Sequence, residues 1–254
     1  MKWVAVGCAV FLSGLLWLVN DEFRLPAGYV PGELVTVGSQ RLHPEAAQAF
    51  EAMLRDMEDA GVGRVDLFSA YRPYGRQAQL FANKVRQFEG QGYARDEAEA
   101  MASQVVQPAG ASEHQTGLAL DVSSTGGLSQ AFGDTRAGRW LADNAHGYGF
   151  VIRYPASKCH TTHIVYEPWH LRYVGVPHAQ LLFGRDLTLE EYGDFLAAHS
   201  PYTFHADLDE VYVITVLDAP LAELPGDVID FSALHYGENT RFVLTQRKNI
   251  FTIE

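Results

Sequence analysis

A run of residues without a charge, near the amino terminus, sets the first limit on how this chain can fold. From Trp3 to Val19 the sequence reads WVAVGCAVFLSGLLWLV. As a helix this run would extend roughly 25 Å, which nearly crosses the hydrocarbon core of a bilayer. Residues 3–19 are therefore predicted to form a membrane anchor. The alternative is a buried helix of the protein core, because the run is slightly shorter than a usual membrane span.

The flanks of the apolar run indicate on which side of the membrane the rest of the chain would lie. Lys2 precedes the run, and Asp21 and Glu22 follow it, which orients the amino terminus inward by the positive-inside rule. The run continues past Cys8, which argues against a lipid-modified cysteine, and it ends without the small residues of a cleavage site. An uncleaved anchor carrying an extracytoplasmic domain is therefore predicted.

Charge and cysteine content exclude several classes of function. The 254 residues include 31 acidic and 19 basic side chains, and the resulting net charge of −12 disfavours binding to nucleic-acid phosphates. With Cys8 and Cys159 as its two cysteines, the chain has neither a disulfide framework nor a cysteine-rich metal site. Any metal is therefore expected to be held by histidine and carboxylate side chains.

Apolar periodicity beyond the anchor indicates an α+β fold. Helical spacing and helix-end signals predict helices over residues 44–61, 74–88, 94–106, 135–146 and 188–199. Alternation of apolar and polar residues predicts strands over residues 65–71, 117–122, 150–154 and 164–173. In the second of these strands the apolar residues share one face, and Asp121 points to the other.

A change of composition after Pro201 divides the chain further. The stretches 211–217, 241–244 and 250–253 are β-branched and alternating, and turn residues separate them, which predicts a small β appendage. The predicted plan is an anchor or uncleaved signal over residues 1–20, a linker over 21–39, a main domain over 40–200 and the appendage over 201–254.

Two clusters of polar residues in the main domain could carry chemistry. The first, SEHQTGLALD, ends at Asp121, and the second, EPWHLRY, begins at Glu167. A catalytic zinc commonly takes three nitrogen or oxygen ligands and leaves a fourth position for water. His114, Asp121 and His170 would supply three such ligands. A carboxylate near that water has to accept its proton, and Glu167 is the candidate.

Each cluster taken alone also has a structural explanation. A single histidine near a strand is more often a structural residue, and Asp121 could cap a turn. On an ideal strand Glu167 and His170 would point to opposite faces, so both reach one metal only if the strand is irregular there. Pro168, between them, makes such an irregularity plausible.

The order of these motifs resembles that of a known enzyme family. S-x-H-x-x-G-x-A-x-D followed by E-P-W-H-x-R-Y-V-G, with SAYRP upstream at residues 69–73, resembles the VanY-type D-alanyl-D-alanine carboxypeptidases of the LAS superfamily. The similarity covers residues 40 to 176. It implies a small central antiparallel sheet flanked by helices with a zinc site, as in Hedgehog-like folds, here with the C-terminal β appendage added.

The resemblance also assigns roles to individual residues. It implies one zinc ion with His114, Asp121 and His170 as ligands. It further implies Glu167 as the catalytic base and Arg72 as the group that stabilises the transition state, since a guanidinium can polarise a carbonyl oxygen or hold a terminal carboxylate. The remaining predicted site residues are Ser112, Gln77 and Tyr71 as substrate hydrogen-bonders and Trp169 as a side chain packed beside a ligand, while Arg172 is expected to form an ordinary pair on the strand surface.

The function implied by the resemblance is that of a zinc-dependent D,D-carboxypeptidase. Such an enzyme removes the terminal D-alanine from peptidoglycan stem pentapeptides by attack of a metal-bound water, and the predicted extracytoplasmic location agrees because peptidoglycan lies outside the membrane. The same motifs fit an L,D-carboxypeptidase that acts on tetrapeptide stems. A catalytically silent wall-binding module on the same scaffold is the alternative from another class, against which the presence of Glu167 and all three ligands argues.

One stretch departs from the family pattern. The family often has a small residue, commonly Gly, before the I-x-Y-E-P-W-H run, where this chain has CHTTHI over residues 159–164. His163 is therefore predicted to narrow the pocket or change its polarity. His160 and His163 are not expected to form a metal site without a third ligand, and Cys159 is not expected to be a nucleophile.

Overall fold

A computed structural model describes residues 12–207, 210–235 and 240–248 of the chain. Within these ranges the helices are α1 (Pro44–Asp59), α2 (Tyr74–Glu89), α3 (Arg95–Ser103), α4 (Arg136–Asn144), α5 (Cys159–Thr162), α6 (Val176–Arg185) and α7 (Leu189–His199). The strands are β1 (Val35–Val37), β2 (Gln40–Leu42), β3 (Asp66–Ser69), β4 (Ala119–Ser123), β5 (Phe150–Tyr154), β6 (Glu167–Tyr173), β7 (Tyr202–Asp207), β8 (Glu210–Leu217), β9 (Val228–Ala233) and β10 (Phe242–Lys248).

The main domain is built on a four-stranded antiparallel sheet with the order β3-β4-β6-β5. Leu120 and Val122 of β4 are fully buried and join Phe50 and Met53 of α1 in one hydrophobic cluster. Asp121 lies between them in sequence and faces a cleft on the opposite side of the sheet. The α+β fold with a central antiparallel sheet is therefore confirmed, and the pleat of β4 separates its core face from its polar face.

Helix α1 illustrates how the sequence pattern builds this layer. Pro44 stands in its first turn, where a missing N–H costs nothing, and its apolar residues recur at helical spacing on the buried face. Gly61, just beyond the helix, takes the left-handed conformation that a chain reversal requires. Helix α6, which the periodicity did not predict, is buried against both the main domain and the C-terminal strands, so it lacks a clear polar face.

A second four-stranded antiparallel sheet, with the order β7-β8-β10-β9, follows the main domain. It corresponds to the predicted β appendage, and β8 and β10 overlap two of its predicted strands; the third, residues 250–253, lies outside the described residues. Ile214 of β8 and Val243 of β10 are fully buried in a cluster with Leu182 of α6 and Leu196 of α7. The sheet thus packs directly on the helices that follow β6.

The amino-terminal run differs from its prediction. Residues 12–19 form no helix, and Leu16 and Val19 are at most 1% exposed. Leu16 packs between the main domain and the C-terminal sheet, and Val19 packs against the C-terminal sheet. The backbone N–H of Ser13 donates to the carbonyl oxygen of Phe231 over 2.9 Å, and that of Leu18 donates to the C-terminal segment in the same way.

The predicted membrane anchor is therefore incorrect for residues 12–19, and the alternative was right about their burial but not about a helix. No helix within the described residues has both the length and the apolar character to cross a membrane. Residues 3–11, with Cys8, lie outside the described part of the chain.

Candidate active site

His114 lies on a single 3-10 turn, Glu113–Thr116, that leads into β4. Its Nδ1 is 2.7 Å from the carbonyl oxygen of Ala70, which fixes the ring and leaves Nε2 facing the cleft. Gly117 ends the turn with φ 75°, and a Cβ there would lie 2.6 Å from a methyl group of Leu34. Glycine is therefore required for the chain to pass from His114 into β4.

Asp121 and His170 meet across the centre of the sheet, where β4 and β6 pair them in register. Oδ1 of Asp121 lies 3.0 Å from Nδ1 of His170, and Oδ2 lies 3.2 Å from Nε2 of His114. The two imidazole rings stand nearly perpendicular, with centroids 4.9 Å apart. All three side chains are buried, so the ligand cluster is shielded from bulk water.

This cluster fits a metal by its donor set. One ligand atom from each of His114, Asp121 and His170 lies within 4.8 Å of the others. Among the described residues, no other set of three or more His, Cys, Asp or Glu side chains brings its ligand atoms so close together. Two imidazole nitrogens and one carboxylate oxygen suit zinc. Burial lowers the pKa of His114 to about 4, which keeps its ring neutral and its lone pair available. Burial opposes the ionisation of Asp121, but the adjoining histidines lower its pKa further than burial raises it.

Glu167 and His170 face the same cleft because β6 is irregular between them. The pairing of β5 with β6 shifts register there, so that one residue of β5 stands opposite three of β6, including Pro168. The predicted irregularity is confirmed. Oε2 of Glu167 lies 3.8 Å from Nδ1 of His170, and burial raises the pKa of Glu167 to about 7.

Arg72 reaches the cluster from the loop between β3 and α2. Its Nη2 donates to Oγ of Ser69 over 3.1 Å and to Oδ2 of Asp121 over 3.4 Å, and its Nη1 donates to Oε1 of Gln77 over 2.7 Å. The Gln77 side chain is 1% exposed, and its Nε2 donates to the carbonyl oxygen of Gln107. Both ends of the Gln77 amide are thus engaged within the protein, although its role as a substrate hydrogen-bonder was predicted.

The cluster opens into a cleft of about 730 Å³, with α2 forming one wall. Ser112, Tyr71 and Trp169 line this cleft together with the metal-ligand cluster, Glu167 and Arg72. Ser112 is buried, and Tyr71 lies beneath the guanidinium of Arg41 at 4.9 Å. The structure therefore brings every predicted site residue to one cleft, whose further lining includes Phe68, Leu80, Lys84, Leu128 and Tyr154.

The stretch that departs from the family pattern lies beside the cleft. Ile164 lines the cleft, whereas Cys159, His160 and His163 are not among the side chains that line it. His163 ends α5 in the left-handed conformation, with φ 57°. An effect of His163 on the pocket therefore has to act through the shape of this turn.

The sequence did not predict the contacts of three buried charged residues behind the metal-ligand cluster, namely Glu113, Arg153 and Arg172. Arg153 donates to Oε1 of Glu113 over 2.8 Å, and Arg172 lies 2.9 Å from the same oxygen. Arg172 is fully buried, so the expectation of an ordinary strand-surface pair is wrong. A charge between Leu171 and Tyr173 on a buried strand was the available signal, since such a charge requires a partner.

Known proteins with similar sequences and folds include carboxypeptidases. The sequence model of the VanY family, described as D-alanyl-D-alanine carboxypeptidase, matches residues 39–176. The putative carboxypeptidase YodJ of Bacillus subtilis is 40% identical over 193 residues, which are 71% of this chain and 67% of that protein. This chain spans between 59% and 67% of the length of the first three curated relatives that it matches.

Two of the similar solved structures are a D,D-pentapeptidase and an LD-carboxypeptidase. One is a mutant of the vancomycin-resistance D,D-pentapeptidase VanY from a VanB-type resistance cassette, in complex with Zn(II), at a TM-score of 0.62 and 33% identity over 70% of this chain and 97% of that one. The other is the LdcB LD-carboxypeptidase, at a TM-score of 0.62 and 39% identity over 71% of this chain and 86% of that one.

Proposed function

This chain belongs to the VanY family of D-alanyl-D-alanine carboxypeptidases, and on that premise we propose that it is a zinc-dependent D,D-carboxypeptidase. Its substrate is the pentapeptide stem of peptidoglycan, from which it removes the terminal D-alanine. The observation that carries the proposal is the convergence of two histidines and one aspartate beside a buried glutamate at the floor of a cleft.

The proposed metal ligands are His114, Asp121 and His170, which is the donor set of a catalytic zinc site. A zinc ion held there would polarise the scissile carbonyl and lower the pKa of a water to about 7. The carbonyl oxygen of Ala70 fixes the ring of His114, and Asp121 supplies a carboxylate that stays ionised, both of which support metal binding.

Glu167 is the proposed general base. Its pKa of about 7, raised by burial, suits a group that takes up and releases a proton near neutral pH. It takes the proton of the attacking water and delivers it to the amine nitrogen of the departing D-alanine. Its carboxylate lies next to the metal-ligand cluster without belonging to it, as that task requires.

Arg72 is the proposed electrostatic group. Its side chain is 16% exposed and opens toward the cleft, while hydrogen bonds to Ser69 and Gln77 hold the guanidinium in place. A guanidinium held in advance stabilises negative charge on the carbonyl oxygen without reorganisation during the reaction. Because both ends of its amide are engaged, Gln77 supports Arg72, and the substrate hydrogen bonds come from Ser112 and Tyr71.

An L,D-carboxypeptidase that acts on tetrapeptide stems is the second candidate. It is favoured by the 39% identity to the LdcB LD-carboxypeptidase, against 33% to the VanY D,D-pentapeptidase. The two reactions need the same metal, base and arginine and differ in the configuration of the residue before the cleaved bond. Ile164 and Leu128 are apolar side chains of the cleft lining that could distinguish the two substrates.

An extracytoplasmic location is part of the proposal because the substrate lies outside the cytoplasmic membrane. Anchoring through residues 3–19 is not part of it, since residues 12–19 are packed within the protein.

The test is mass spectrometry of stem peptides after incubation with the zinc-loaded full-length chain. Pentapeptide and tetrapeptide are incubated separately, with Glu167→Ala as the matched control. Loss of one alanine from the pentapeptide alone supports D,D activity, and loss from the tetrapeptide alone supports L,D activity. If neither peptide is cleaved, or if cleavage persists in Glu167→Ala, the proposed mechanism is wrong, and absence of cleavage favours the wall-binding module.

A further inference from the structure

Two buried polar atoms face each other behind the metal-ligand cluster. Oε2 of Glu113 and Nε2 of His170 lie 3.8 Å apart. Both are shielded from solvent, and neither has a hydrogen-bond partner within the part of the chain that the structure describes. Buried polar atoms are seldom left unpaired, because nothing compensates their lost hydration. The two atoms are therefore natural partners for each other.

The orientation of His170 indicates how this pairing would assist metal binding. A histidine that binds a metal presents one ring nitrogen to it and carries its proton on the other. Nδ1 lies 3.0 Å from Oδ1 of Asp121, among the ligand atoms, so once a metal ion binds there and takes the lone pair of Nδ1, the proton belongs on Nε2. A movement of about 1 Å brings Nε2 and Oε2 of Glu113 to the distance of a charge-assisted hydrogen bond.

Glu113 is held in place by two arginines that both contact its other oxygen. Arg153 donates its Nε–H to Oε1 over 2.8 Å. Arg172 places Nη1 2.9 Å from the same oxygen as an ion pair, without the alignment of a hydrogen bond. All three side chains are at most 2% exposed. Because both contacts fall on Oε1, Oε2 is left to face His170.

The two arginines are themselves fixed from distant parts of the chain. Arg172 donates through Nη2 to the carbonyl oxygens of Leu15 at 2.9 Å and Trp17 at 3.0 Å, in the amino-terminal segment. Arg153 makes a two-point contact with Glu190 of α7, at 2.9 Å and 2.6 Å. The support of Glu113 therefore extends from the metal-ligand cluster to the amino-terminal segment and to α7.

We propose that Glu113 is a positioning residue that accepts the Nε2–H of His170 and so turns Nδ1 toward the metal. The proposal rests on the zinc site of the proposed function. Glu113 is not among the side chains that line the cleft, so it acts through His170 and not on the substrate. Removal of such a partner commonly weakens metal binding about 10- to 100-fold.

The test compares the zinc dissociation constants of Glu113→Gln and of the control Glu210→Gln in the full-length chain, measured by competition with a chromophoric chelator. Glu113→Gln removes the charged acceptor from His170 and is expected to raise the zinc Kd about 10- to 100-fold. Glu210→Gln removes a carboxylate from Arg247 in the C-terminal sheet, away from the metal-ligand cluster, so its zinc Kd should stay within about threefold of the wild-type value. If Glu113→Gln lowers the Tm of the zinc-free protein and leaves its zinc Kd unchanged, the residue is merely structural and the proposal is overturned.

A second measurement on the unmodified, zinc-loaded chain remains decisive if Glu113→Gln does not fold. NMR of the protein labelled with ¹⁵N-histidine reports which nitrogen of His170 carries the proton, and His170→Asn identifies its signals. Protonated Nε2 with zinc on Nδ1 is expected, and the reverse tautomer overturns the proposal. A wild-type chain that binds no zinc overturns this proposal and the proposed function together, whereas one that binds zinc without cleaving stem peptides contradicts only the proposed function.

Discussion

Gln77 connects the position of Arg72 to the packing of α2 and of the loop that carries Gln107. Its oxygen accepts from Arg72, and its nitrogen donates to the backbone of Gln107, so the amide has a defined orientation. Gln77→Leu removes both hydrogen bonds at nearly constant volume. We expect kcat/KM to fall about 10- to 100-fold, mostly through kcat, because Arg72 loses its alignment for the transition state.

The matched control for this prediction is Gln79→Leu, on the exposed side of the same helix. Gln79 is not among the side chains that line the cleft and makes none of the contacts that hold Arg72; it accepts a hydrogen bond from Arg76 at the cleft edge, and its substitution should leave kcat/KM within about twofold. Steady-state kinetics on the stem peptide would decide. A rise in KM alone for Gln77→Leu would instead identify Gln77 as a substrate hydrogen-bonder, as the sequence predicted.

For individual residues, the sequence identified the candidate metal ligands and catalytic base but not the buried charged residues that hold them in place. His114, Asp121, Glu167 and His170 lie in two short motifs, and the irregularity of β6 at Pro168 lets Glu167 and His170 face the same cleft. Arg172 was misplaced because its partner, Glu113, lies in the other motif. A contact between two distant segments does not change the apolar periodicity of either segment, so the sequence pattern does not reveal it.

Helix α4 depends on a glycine whose role is steric. A Cβ added at Gly138 would lie 2.0 Å from the carbonyl oxygen of Phe132, in the backbone of the preceding turn. Gly138→Ala therefore requires the helix to move and should destabilise the protein by about 3 kcal/mol. Gly184→Ala, in α6, is the control, because nothing lies within 4 Å of the added Cβ.

For Gly184→Ala we expect a change between zero and about 1 kcal/mol of stabilisation, since alanine favours a helix over glycine. Urea unfolding of both variants measures the free energies. Equal values for the two substitutions would contradict the close contact at Gly138.

His178 joins three elements of the fold without carrying a charge. Its Nδ1 lies 2.7 Å from the hydroxyl of Tyr192 in α7, and its Nε2 lies 3.0 Å from the hydroxyl of Thr245 in β10. Burial lowers the pKa of His178 from 6.5 to about 3. The unfolded chain therefore binds a proton at this residue between pH 6.5 and about 3, whereas the folded chain does not.

Stability contributed by His178 is thus complete above pH 6.5 and is lost as the pH falls toward 3. The expected slope from this one group is about 1.4 kcal/mol per pH unit below about 6.5. His178→Gln should unfold more easily at about pH 7.5 but lose less stability than the wild-type chain between about pH 6.5 and 5. Urea unfolding at these pH values is the measurement, and parallel curves for the two proteins would refute the assignment.

Most elements of the main domain were predictable because their polar and apolar faces differ. Helices α1, α2 and α7 and strands β4 and β5 have bounds close to those predicted, since their apolar residues recur with helix or strand periodicity, although β4 is buried along its whole length. Helix α6 and strands β7 and β9 were missed. Helix α6 packs on two sides, and the two strands are the edges of a sheet whose pairing partners define them.

Across the whole molecule, the amino-terminal segment connects the main domain to the C-terminal sheet. Leu16 is 1% exposed and packs in one cluster with Leu182 of α6 and Ile214 of β8. Leu16→Ala should therefore lower the free energy of unfolding by about 2–5 kcal/mol. Leu224→Ala, at a leucine that is 39% exposed, is the control and should cost less than about 0.5 kcal/mol.

Urea unfolding of the full-length chain compares the two leucine variants. A cost for Leu16→Ala as small as that for Leu224→Ala would mean that the segment lies outside the folded unit. The C-terminal sheet contributes none of the described side chains that line the cleft, so its contacts with α6, α7 and the amino-terminal segment point to a role in stability.

The sequence by itself determined the α+β class, the family and the residues that meet at the cleft. The class follows from apolar periodicity, which acts over a few residues of one chain segment. The residues of the cleft come from separate segments and were predicted together through the resemblance of their motifs to a known family. Only the tertiary structure decided that residues 12–19 pack inside the protein and that Arg172 and Glu113 support the metal-ligand cluster. Removal of an apolar run from water is favourable both in a membrane and in a protein core, so hydropathy alone cannot distinguish the two. The contact of Arg172 with Leu15 joins residues 157 positions apart, and such a pairing exists only once the fold brings the two segments together.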